Sequence, residues 1–579
     1  MITAEALLAA IASGESLEGE RITGLDLTGA SLADAWMPAA KLRKVILAKA
    51  ALGTANLCGA EIVECDLRSA DLSEADLRDA LLLATDLCEA SLQNADLRGA
   101  KLAYEDLSGA DLSGADLTGA DLTGANLTGA KLHGATLENV RGDLSVLTSA
   151  DLTGARLTEV SLIRAKLGGA VLRDTKIEGC SLIAANLQGA DFSGAELDRV
   201  VFVKADLSGA VLPRRMSKTI FDEAILGEKK LGGKDLSGAE LDGRDLSGVD
   251  LAGANLSSSS LRGANLRNAN LRDARLENTI LADCDLTGAD LHGASFTGSM
   301  LSGAKLPGAD LRGRDLVGVI LTRADLSGAD LSGARVERAI LDGVDLSGAD
   351  LTRVLMKQAQ MPGARLDGAK VERAIFDNVD LGGVDVRALG LAGVTMTRCQ
   401  LVGSNLAGAV FRGCNLSRSN FAQSDLSGAV FDACLLESAS FAEARLDRAR
   451  FTELAARTAY FGDASLRGAR LFKAMLRGAV FAGADLGEAD LSGADLREAV
   501  LTRARARAAR FVAARLEDAL LAHADLRHAD LGSADLSRAD LHAIQQDGAR
   551  WTEALVLTAR RTDPDRLAAE AWRPPPRSL

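Results

Sequence analysis

Histidine and cysteine, the side chains that most often do chemistry, are few in this chain of 579 residues, which has five histidines and eight cysteines. His523 and His528 are five residues apart, and imidazoles at short spacing are common ligands of transition metals. Such a site needs a further ligand, and none lies near this pair in the sequence. The sequence therefore predicts no metal site and no cofactor. The remaining histidines are His133, His292 and His542.

The groupings typical of enzymes are also missing from the sequence. It has no recognisable serine, histidine and aspartate set, no glycine-rich phosphate loop that leads into a helix, and no pair of acids expected to face a cleft. The cysteines show no Cys-x-x-Cys spacing of the kind that binds zinc. We therefore expect a protein that is not an enzyme and has no small-molecule substrate.

Charge is the other source of chemistry, and it is unevenly distributed. The whole chain has a net charge of -14, and residues 51–130 alone hold 15 acidic and 4 basic side chains, a net of -11. Aspartates recur every 20 residues within this acidic segment and form a candidate partner-binding wall: Asp66, Asp86, Asp106, Asp76, Asp96 and Asp116. A candidate basic patch lies much later in the chain: Arg503, Arg505, Arg507, Arg510 and Arg515.

A five-residue period runs through almost the whole chain and must position these side chains. A large apolar residue, usually leucine, stands at every fifth position of residues 22–212 and again of residues 221–541, interrupted only by Gly142, Ala456 and Ala506. An α-helix would spread this period around its axis, and a strand would send successive leucines to opposite faces. Each five-residue unit must therefore contain its own turn.

Four such units close a square coil, and each coil stacks on the next at the strand spacing of ~4.8 Å. The sequence thus predicts an all-β solenoid, a quadrilateral β-helix of about 26 coils in two segments. The leucine and the residue two before it, usually alanine, point inward. Of the 14 phenylalanines, 13 take the leucine position and are assigned to the core. Glycine at the end of many units supplies the positive φ of the corner.

Some residues depart from alanine at the small inward position. Cysteines there are interpreted as substitutes for alanine: Cys65, Cys180, Cys284, Cys399, Cys414 and Cys434. Cys58 and Cys88 face outward on opposite walls and cannot pair. A buried unpaired charge costs several kcal/mol, so charged residues at this position predict walls that bulge or side chains that reach water past a corner. They are Glu105, Lys229, Lys234, Arg244 and Arg314, and Arg314 is where a partner or ion could be held.

The two leucine series are out of step, and residues 213–220, PRRMSKTI, lie between them. Proline cannot donate a ladder hydrogen bond, so we interpret this stretch as a loop or kink between two segments, with a hinge as the functional alternative. The predicted organisation is an N-terminal helical cap at 1–20, a first segment at 21–212, a break or linker at 213–220, a second segment at 221–549 and a C-terminal cap with a proline-rich tail at 550–579.

Both ends of a solenoid need covers, because an open coil exposes strand edges and leucines. Thr3 is the expected N-cap of a helix over residues 4–12. Asp563 and Pro564 are expected to begin a second short helix that runs through Trp572. Before it, Trp551, Leu555 and Val556 can cover the last coil or pair two molecules end to end, so a homodimer stays open.

The repeat, most regular in GADLSGADLTGADLTGANLTGA at residues 109–130, resembles that of the pentapeptide-repeat proteins, whose consensus is A(D/N)LXX. The resemblance covers about nine-tenths of the chain. It implies a right-handed quadrilateral β-helix. Several shorter relatives bind DNA gyrase as mimics of duplex DNA, and long relatives occur beside spike proteins of bacterial type VI secretion systems, which the length and the opening GESLEGERITGLDLTGA also suggest for this chain.

Two functions compete. The first is a rigid, non-catalytic protein-binding scaffold or adaptor, associated with a type VI secretion spike. The alternative is a DNA-mimicking regulator that binds DNA gyrase or another topoisomerase through the acidic wall: four coils span roughly 19 Å, over which duplex DNA presents about 11 negative charges. The arginine cluster could contact an acidic partner, but without aromatic stacking platforms direct nucleic acid binding is not expected. Because no segment spans a membrane or resembles a secretory signal, the predicted compartment is the cytoplasm, and export by a dedicated machine stays open.

Overall fold

The structure is a computed structural model that describes residues 2–227, 229–387 and 389–572. The chain divides into two compact units, Met1–Ile280 and Leu281–Leu579. Each unit is a parallel β-solenoid, which confirms the predicted fold class. No helix in the described part of the chain combines the length and the apolar character that crossing a membrane requires.

The first unit begins with a helix and continues as stacked coils. Its strands form a four-stranded sheet in the order β1-β2-β3-β4, a five-stranded sheet in the order β10-β8-β7-β6-β5 and the pair β11-β9. The elements are α1 (Ala4–Ala12), β1 (Arg21–Thr23), β2 (Lys41–Arg43), β3 (Glu61–Val63), β4 (Leu81–Leu83), β5 (Thr136–Glu138), β6 (Arg156–Thr158), β7 (Lys176–Glu178), β8 (Glu196–Asp198), β9 (Asp206–Leu207), β10 (Arg215–Ser217) and β11 (Ile225–Leu226).

The second unit consists of stacked coils followed by a helix. Its strands form a four-stranded sheet in the order β12-β13-β14-β15 and a three-stranded sheet in the order β16-β17-β18. Isolated parallel bridges extend both units between these sheets. The elements are β12 (Arg335–Glu337), β13 (Leu355–Lys357), β14 (Ile375–Asp377), β15 (Thr395–Thr397), β16 (Val410–Arg412), β17 (Val430–Asp432), β18 (Arg450–Thr452) and α2 (Pro564–Ala571).

One repeat unit shows why these residues form a coil. Cys65 and Leu67 are 3% and 1% exposed, and Asp66 between them faces outward. The amide of Asp86, one coil later, donates to the Cys65 carbonyl at 3.1 Å, and the Leu67 amide donates to the Asp86 carbonyl at 2.8 Å. The turn is closed locally, because the Arg68 amide donates to Oδ1 of Asp66 at 3.1 Å. The outward aspartate is therefore part of the turn as well as part of the surface.

In the described part of the chain, most corner residues at the end of a five-residue repeat have a positive φ, as the glycines predict, but many of them are not glycine. Gly109 has φ 68°, while Leu144 has φ 61° and Tyr104 has φ 65°. This backbone conformation costs roughly 1–2 kcal/mol for residues with a Cβ. The hydrogen-bonded coils above and below must hold these corners in place.

Thirteen of the 14 phenylalanines are core residues, as predicted, and Phe472 is exposed. Phe411, Phe431 and Phe451 stack along one wall with ring centroids 4.9 Å apart, and their exposure is 2% or less. This distance matches the strand spacing of ~4.8 Å, since consecutive coils place equivalent side chains directly above one another. The opposite wall has the same arrangement at Phe421 and Phe441, 5.0 Å apart.

Residues 213–220 continue the coil, so their interpretation as a break or linker needs correction. Arg215–Ser217 forms β10 and pairs with β8, with Arg215 opposite Glu196, an offset of 19 where the regular offset is 20. Met216 is fully buried and takes the central inward position. The chain is one residue short in this coil, which puts the leucine series out of step without opening a loop. The Lys234 ammonium reaches the carbonyls of Leu212 and Pro213 at 2.8 and 3.2 Å.

The other inward charges also bind backbone groups. Glu105 is 3% exposed and accepts hydrogen bonds from the amides of Ala84 (2.9 Å) and Thr85 (2.5 Å), while burial raises its pKa. Lys229 donates to the Ser247 carbonyl at 3.1 Å. Lys229 is exposed, so its side chain reaches water, which is one of the two expected outcomes. Glu105 corrects the expectation, because it stays buried and its carboxylate is satisfied by the amides of the coil. Arg244 donates to the Ala224 carbonyl and its pKa is lowered by burial; buried Nε atoms without a hydrogen-bond partner among the described residues occur in Arg244 and Arg314.

Both helices begin and end close to their predicted positions. In α1, Thr3 Oγ1 accepts from the Ala6 amide at 3.3 Å and Leu7 is fully buried. In α2, Asp563 accepts from the amides of Asp565 and Arg566 at 2.9 and 3.2 Å. No residue of α2 is buried, so this helix lies at the surface of the protein.

Candidate protein-interaction surfaces

Helix α2 is fastened to the coils by a histidine–glutamate clip, formed by His523, His542 and Glu570. Glu570 Oε2 lies 2.8 Å from Nε2 of His523 and 3.2 Å from Nε2 of His542, whose side chain is 1% exposed. Arg566 supports the clip, because it donates to Glu570 at 2.9 Å and to Asp540 at 3.1 Å. The Arg566 hydrogen bond is the largest cause that lowers the Glu570 pKa. These contacts attach α2 to one face of the coil.

The clip corrects the sequence-based view of the histidines. The sequence pairs His523 with His528 and offers no third ligand, but the structure places His542 and Glu570 beside His523, with one ligand atom of each within 4.8 Å of the others. The amide of Asp563 donates to Nδ1 of His542 at 3.2 Å. An amide can only donate, so Nδ1 has no proton and Nε2 of the neutral ring carries it. Nε2 is therefore arranged to donate to Glu570, which suits a hydrogen-bonded clip better than a metal ion.

The face that carries α2 continues as a surface without charged side chains, which we call the uncharged wall. It consists of the two outward positions of each coil in seven consecutive coils of the second unit, and parallel bridges join the first position from coil to coil. The first positions are Gln400, Asn420, Ser440, Tyr460, Val480, Val500 and Leu520. The second positions are Val402, Ala422, Ala442, Gly462, Ala482, Thr502 and Ala522.

Four coils of this wall form an apolar strip next to α2. Tyr460 and Leu520 are 43% and 38% exposed, and Val480 and Val500 between them are partly exposed. The Tyr460 ring lies over Gly462, where a Cβ would collide with it, so the ring lies flat on the wall. Charged side chains of both signs return only at the corners that flank the strip. They are Asp463, Glu498, Arg503 and Asp518. An apolar centre with a polar rim is the usual pattern of a protein-binding surface.

The other walls of the same coils differ sharply in charge. At the equivalent outward position, one wall has Asp485, Arg505 and Asp525 in consecutive coils. The next walls have Arg470, Asp490 and Arg510, and Asp495, Arg515 and Asp535. Since all four walls have the same backbone, the absence of charge on one of them is a property of its side chains alone.

The aspartates of the acidic segment form two ladders on separate walls, as their spacing predicts. Asp66, Asp86 and Asp106 are bridged in one ladder. Arginine lies between the rungs: Arg68 contacts Asp66 at 2.7 Å and Asp86 at 3.7 Å. The second ladder, Asp76, Asp96 and Asp116, has arginines in the same places: Arg78 contacts Asp76 and Asp96, and Arg98 contacts Asp96 and Asp116.

These arginines reduce the resemblance of the ladders to a DNA backbone. The hydrogen bond from Arg98 is the largest cause that lowers the Asp96 pKa, and Arg78 does the same for the pKa of Asp76. The carboxylates therefore stay ionised, but their field is partly cancelled by guanidinium groups on the same wall. Glu105, one of the acidic residues counted in this segment, is buried and adds nothing to an outer face. The negative charge is spread over the coil and does not form a bare wall.

The basic patch is dispersed in the same manner. Arg505, Arg510 and Arg515 are separated by single repeat units, so each lies on a different wall. Every one of them stacks between aspartates of the coils before and after it, as Asp485 and Asp525 do around Arg505. Arg503 and Arg507 are exposed. The five arginines are thus spread over three walls and one corner and do not form a patch on one side.

A hollow lies at the C-terminal end of the second unit, among the residues that the structure describes. Trp551 and Val556 line this hollow of about 500 Å³ together with Leu541 and Ile544. Leu555, predicted to help cover the last coil, is 57% exposed. An end-to-end contact through these residues stays a prediction.

The sequence analysis missed the clip and the uncharged wall, although the spacing of the residues in the sequence indicates part of the clip and the whole of the wall. Residues 19 or 20 apart are neighbours in this fold, so His523 and His542 could have been paired from their numbers. The uncharged wall appears when every twentieth residue from position 400 is read as one column. Glu570 left no such signal, since its position depends on how α2 packs.

Known proteins support this architecture. The family model described as Pentapeptide repeats matches the chain in segments from residues 39–73 to residues 504–542, which together span most of its length. No curated protein matches the chain. Among solved structures, it is similar to HetL from the cyanobacterium Nostoc sp. Strain PCC 7120, a pentapeptide repeat protein involved in heterocyst differentiation regulation, at 29% identity over 52% of this chain and 98% of that one, with a TM-score of 0.18.

It is also similar to QnrB1, a plasmid-mediated fluoroquinolone resistance protein, at 20% identity over 39% of this chain and 91% of that one, with a TM-score of 0.18. A pentapeptide repeat protein from the thylakoid lumen of Arabidopsis thaliana shares 32% identity over 19% of this chain and 71% of that one, with a TM-score of 0.11. The match to the family model, together with the coil geometry, is decisive: the chain belongs to the pentapeptide-repeat family and is a scaffold built from its repeats.

Proposed function

We propose that this protein is a non-catalytic scaffold or adaptor that binds a protein partner through the uncharged wall. The single observation that carries the proposal is the contrast between walls: 14 outward positions in seven coils lack a charged side chain, while each of the other walls of the same coils carries charged side chains. In a chain with 25% charged residues, so long an uncharged column favours a contact surface.

The chemistry of this wall defines the kind of partner. Apolar side chains at Tyr460, Val480, Val500 and Leu520 favour contact with an apolar protein surface, and the mixed charges of the corners can orient it. Binding of this kind persists in salt, since it depends on apolar burial and not on long-range charge. A component of a secretion spike is one partner of this class, and the resemblance to long relatives supports testing it first.

The test compares two double variants of the intact protein. Aspartate is the commonest residue at the first outward position of the repeat, so Val480→Asp with Val500→Asp adds charge to the wall without disturbing the coil. Val410→Asp with Val430→Asp makes the same change on another wall and is the matched control. We expect the first variant to retain about one tenth or less of the partner at any salt concentration, because a charge buried in an apolar contact costs several kcal/mol.

The control variant should retain the partner as the unchanged protein does. Equal retention by the unchanged protein and by both variants would refute binding through the uncharged wall. Loss of the partner at high salt from the unchanged protein would instead indicate an electrostatic contact, such as one made by the acidic segment.

A further inference from the structure

We infer that the occupant of the uncharged wall is an amphipathic α-helix of the partner protein, which lies parallel to the direction in which the coils stack. This inference rests on the proposed function and specifies the partner's structure. It depends on three observations: the chain's own helix is attached at Asp540 and His542, in the coil that follows this wall on the same face, the coil spacing matches the helical pitch, and α2 prevents a flat second surface from approaching.

Helix α2 shows that a helix can lie on this face of the coils, where polar side chains of the coil after the uncharged wall hold it. Its first turn contacts the last coils, where Asp563 donates its amide to His542 and Arg566 reaches Asp540. Glu570, one turn later, also reaches His523 of the preceding coil. The helix thus runs from the coil of Asp540 toward the coil of Leu520. These two residues are neighbours in the same column of parallel bridges. Ala522, on the second outward position there, is 3% exposed.

The spacing of the apolar strip suits a second helix beside α2. Consecutive coils are ~4.8 Å apart and an α-helix advances ~5.4 Å per turn, so a helix along the strip brings one side chain per turn close to each coil. The strip presents Tyr460, Val480, Val500 and Leu520 in four such steps. An extended strand rises ~3.4 Å per residue and alternates its faces, which gives a poorer match. A helix is therefore the segment whose side chains meet the wall at every coil.

The length and charge of the wall specify the helix further. Seven coils span about 29 Å, the length of a helix of about 19 residues. Its buried stripe must be uncharged, because the wall offers no counter-ion at any of its outward positions. Its flanks can be charged, since acidic and basic corners such as Glu498 and Arg503 border the strip.

A second copy of this chain fits less well as the occupant. Two flat β-faces pack at about 10 Å, and α2 with its side chains is about as thick as that whole gap. In a two-fold arrangement centred on the strip, between Val480 and Val500, each α2 would meet the partner's wall near Ser440 and hold the two faces apart. A partner helix needs no such approach, because it forms the second layer itself.

The test is site-specific photo-crosslinking with the intact protein in the cell that makes it. A benzophenone amino acid replaces Tyr460, Val480, Val500 or Leu520, one at a time, and the crosslinked residue of the partner is identified by mass spectrometry. A helix along the strip should shift the crosslinked residue by about three positions per coil, because ~4.8 Å corresponds to about three residues at 1.5 Å each. An extended partner would shift by about one or two positions, and a segment that crosses the wall would not shift.

Each outcome is decisive. A shift of about three residues per coil, absent when Val410 or Val430 carries the crosslinker, supports the helix. A shift typical of a strand, no shift, or crosslinks to another copy of this chain would overturn the helix but leave the wall as a binding surface. If the wall positions crosslink no more than the control positions, the helix inference and the proposed function fail together.

Discussion

The acidic segment of the first unit and the uncharged wall of the second have the same backbone and opposite surfaces. In the first, the outward position carries aspartates such as Asp76 and Asp96, which close their own turns and pair with arginine. In the second, the same position carries Val480 and Val500, and the coil forms without that side-chain bond. The aspartate therefore stabilises the turn but is not required for the coil to form. The residue type at this outward position can vary, so it indicates what kind of contact the wall makes.

The largest effect that we expect on stability tests the structural role of the aspartate. Asp96→Ala removes the carboxylate that accepts from the Arg98 amide at 3.2 Å and from its guanidinium at 2.8 Å. Loss of a turn-capping side chain costs about 1 kcal/mol, so the free energy of unfolding should fall by about that amount. Denaturant unfolding measures it.

The matched control is Asp96→Asn, which keeps the acceptor, as Asn126 does for the Thr128 amide at 3.2 Å. This variant should lie within about 0.5 kcal/mol of the unchanged protein. If both substitutions had the same effect, the carboxylate would act through its charge and not through the turn.

A smaller effect is expected where the histidine–glutamate clip attaches α2 to the coils. Glu570→Gln weakens the bonds to His523 and His542, so amide hydrogen exchange in Pro564–Ala571 should become faster by about threefold to tenfold. Hydrogen exchange with mass spectrometry measures this rate. The control, Glu553→Gln, weakens the hydrogen bond that the Ser533 hydroxyl donates on a coil and should leave α2 unchanged. Slower exchange of α2 after addition of Zn²⁺ would contradict the clip and indicate a metal site.

A gradual effect of acid should separate charged from uncharged surfaces. Hydrogen bonds from Arg312 and Arg387 lower the pKa of Asp310 and Asp385 to about 2, below the ordinary value of 3.8. Because the pKa of each carboxyl is lower in the folded protein than in the unfolded chain, ionisation of these groups stabilises the fold at any pH above about 3.8. This stabilisation is lost as the pH falls from 3.8 through about 2. Unfolding measured across this range should therefore show declining stability, and the slope should be shallower in Asp310→Asn with Asp385→Asn. An unchanged slope in that variant would show that other carboxylates dominate.

The smallest expected effect concerns the acidic ladder as a binding surface. Asp66→Asn, Asp86→Asn and Asp106→Asn together remove three charges and keep the turns. If the partner binds the uncharged wall, its affinity should change by less than about twofold. If the protein is instead a DNA mimic that binds a topoisomerase, this variant should lose most of its affinity. Such a loss would make the acidic ladder, and not the uncharged wall, the main binding surface.

The sequence was sufficient for the fold because the five-residue period admits few structures, and for both helices because Thr3 and Asp563 are strong N-caps. It misled at residues 213–220, where Pro213 suggested a loop. Met216 in fact continues the core with one residue fewer, and Lys234 binds the displaced carbonyls. The candidate charges could be located on walls by counting, but whether arginine cancels them depends on side-chain geometry. The two histidines of the clip could have been paired by counting, but their contact with Glu570 could not, because it joins a helix to coils about 30 to 50 residues earlier in the chain.

Because equivalent outward positions recur every 20 residues, the length of an insertion or deletion determines what happens to each wall during evolution or engineering. Duplication or deletion of a whole coil lengthens or shortens every column and leaves each one intact. Deletion of a single five-residue repeat, for example residues 463–467, would keep the hydrogen-bond pattern. It would, however, move every later residue of the second compact unit to the neighbouring wall. Tyr460 would then no longer stand in line with Val480, and one uncharged surface would become two short ones on adjacent sides. Insertion or deletion of one repeat therefore changes which side chains share a wall by a quarter turn of the coil, while the pattern of core residues stays the same.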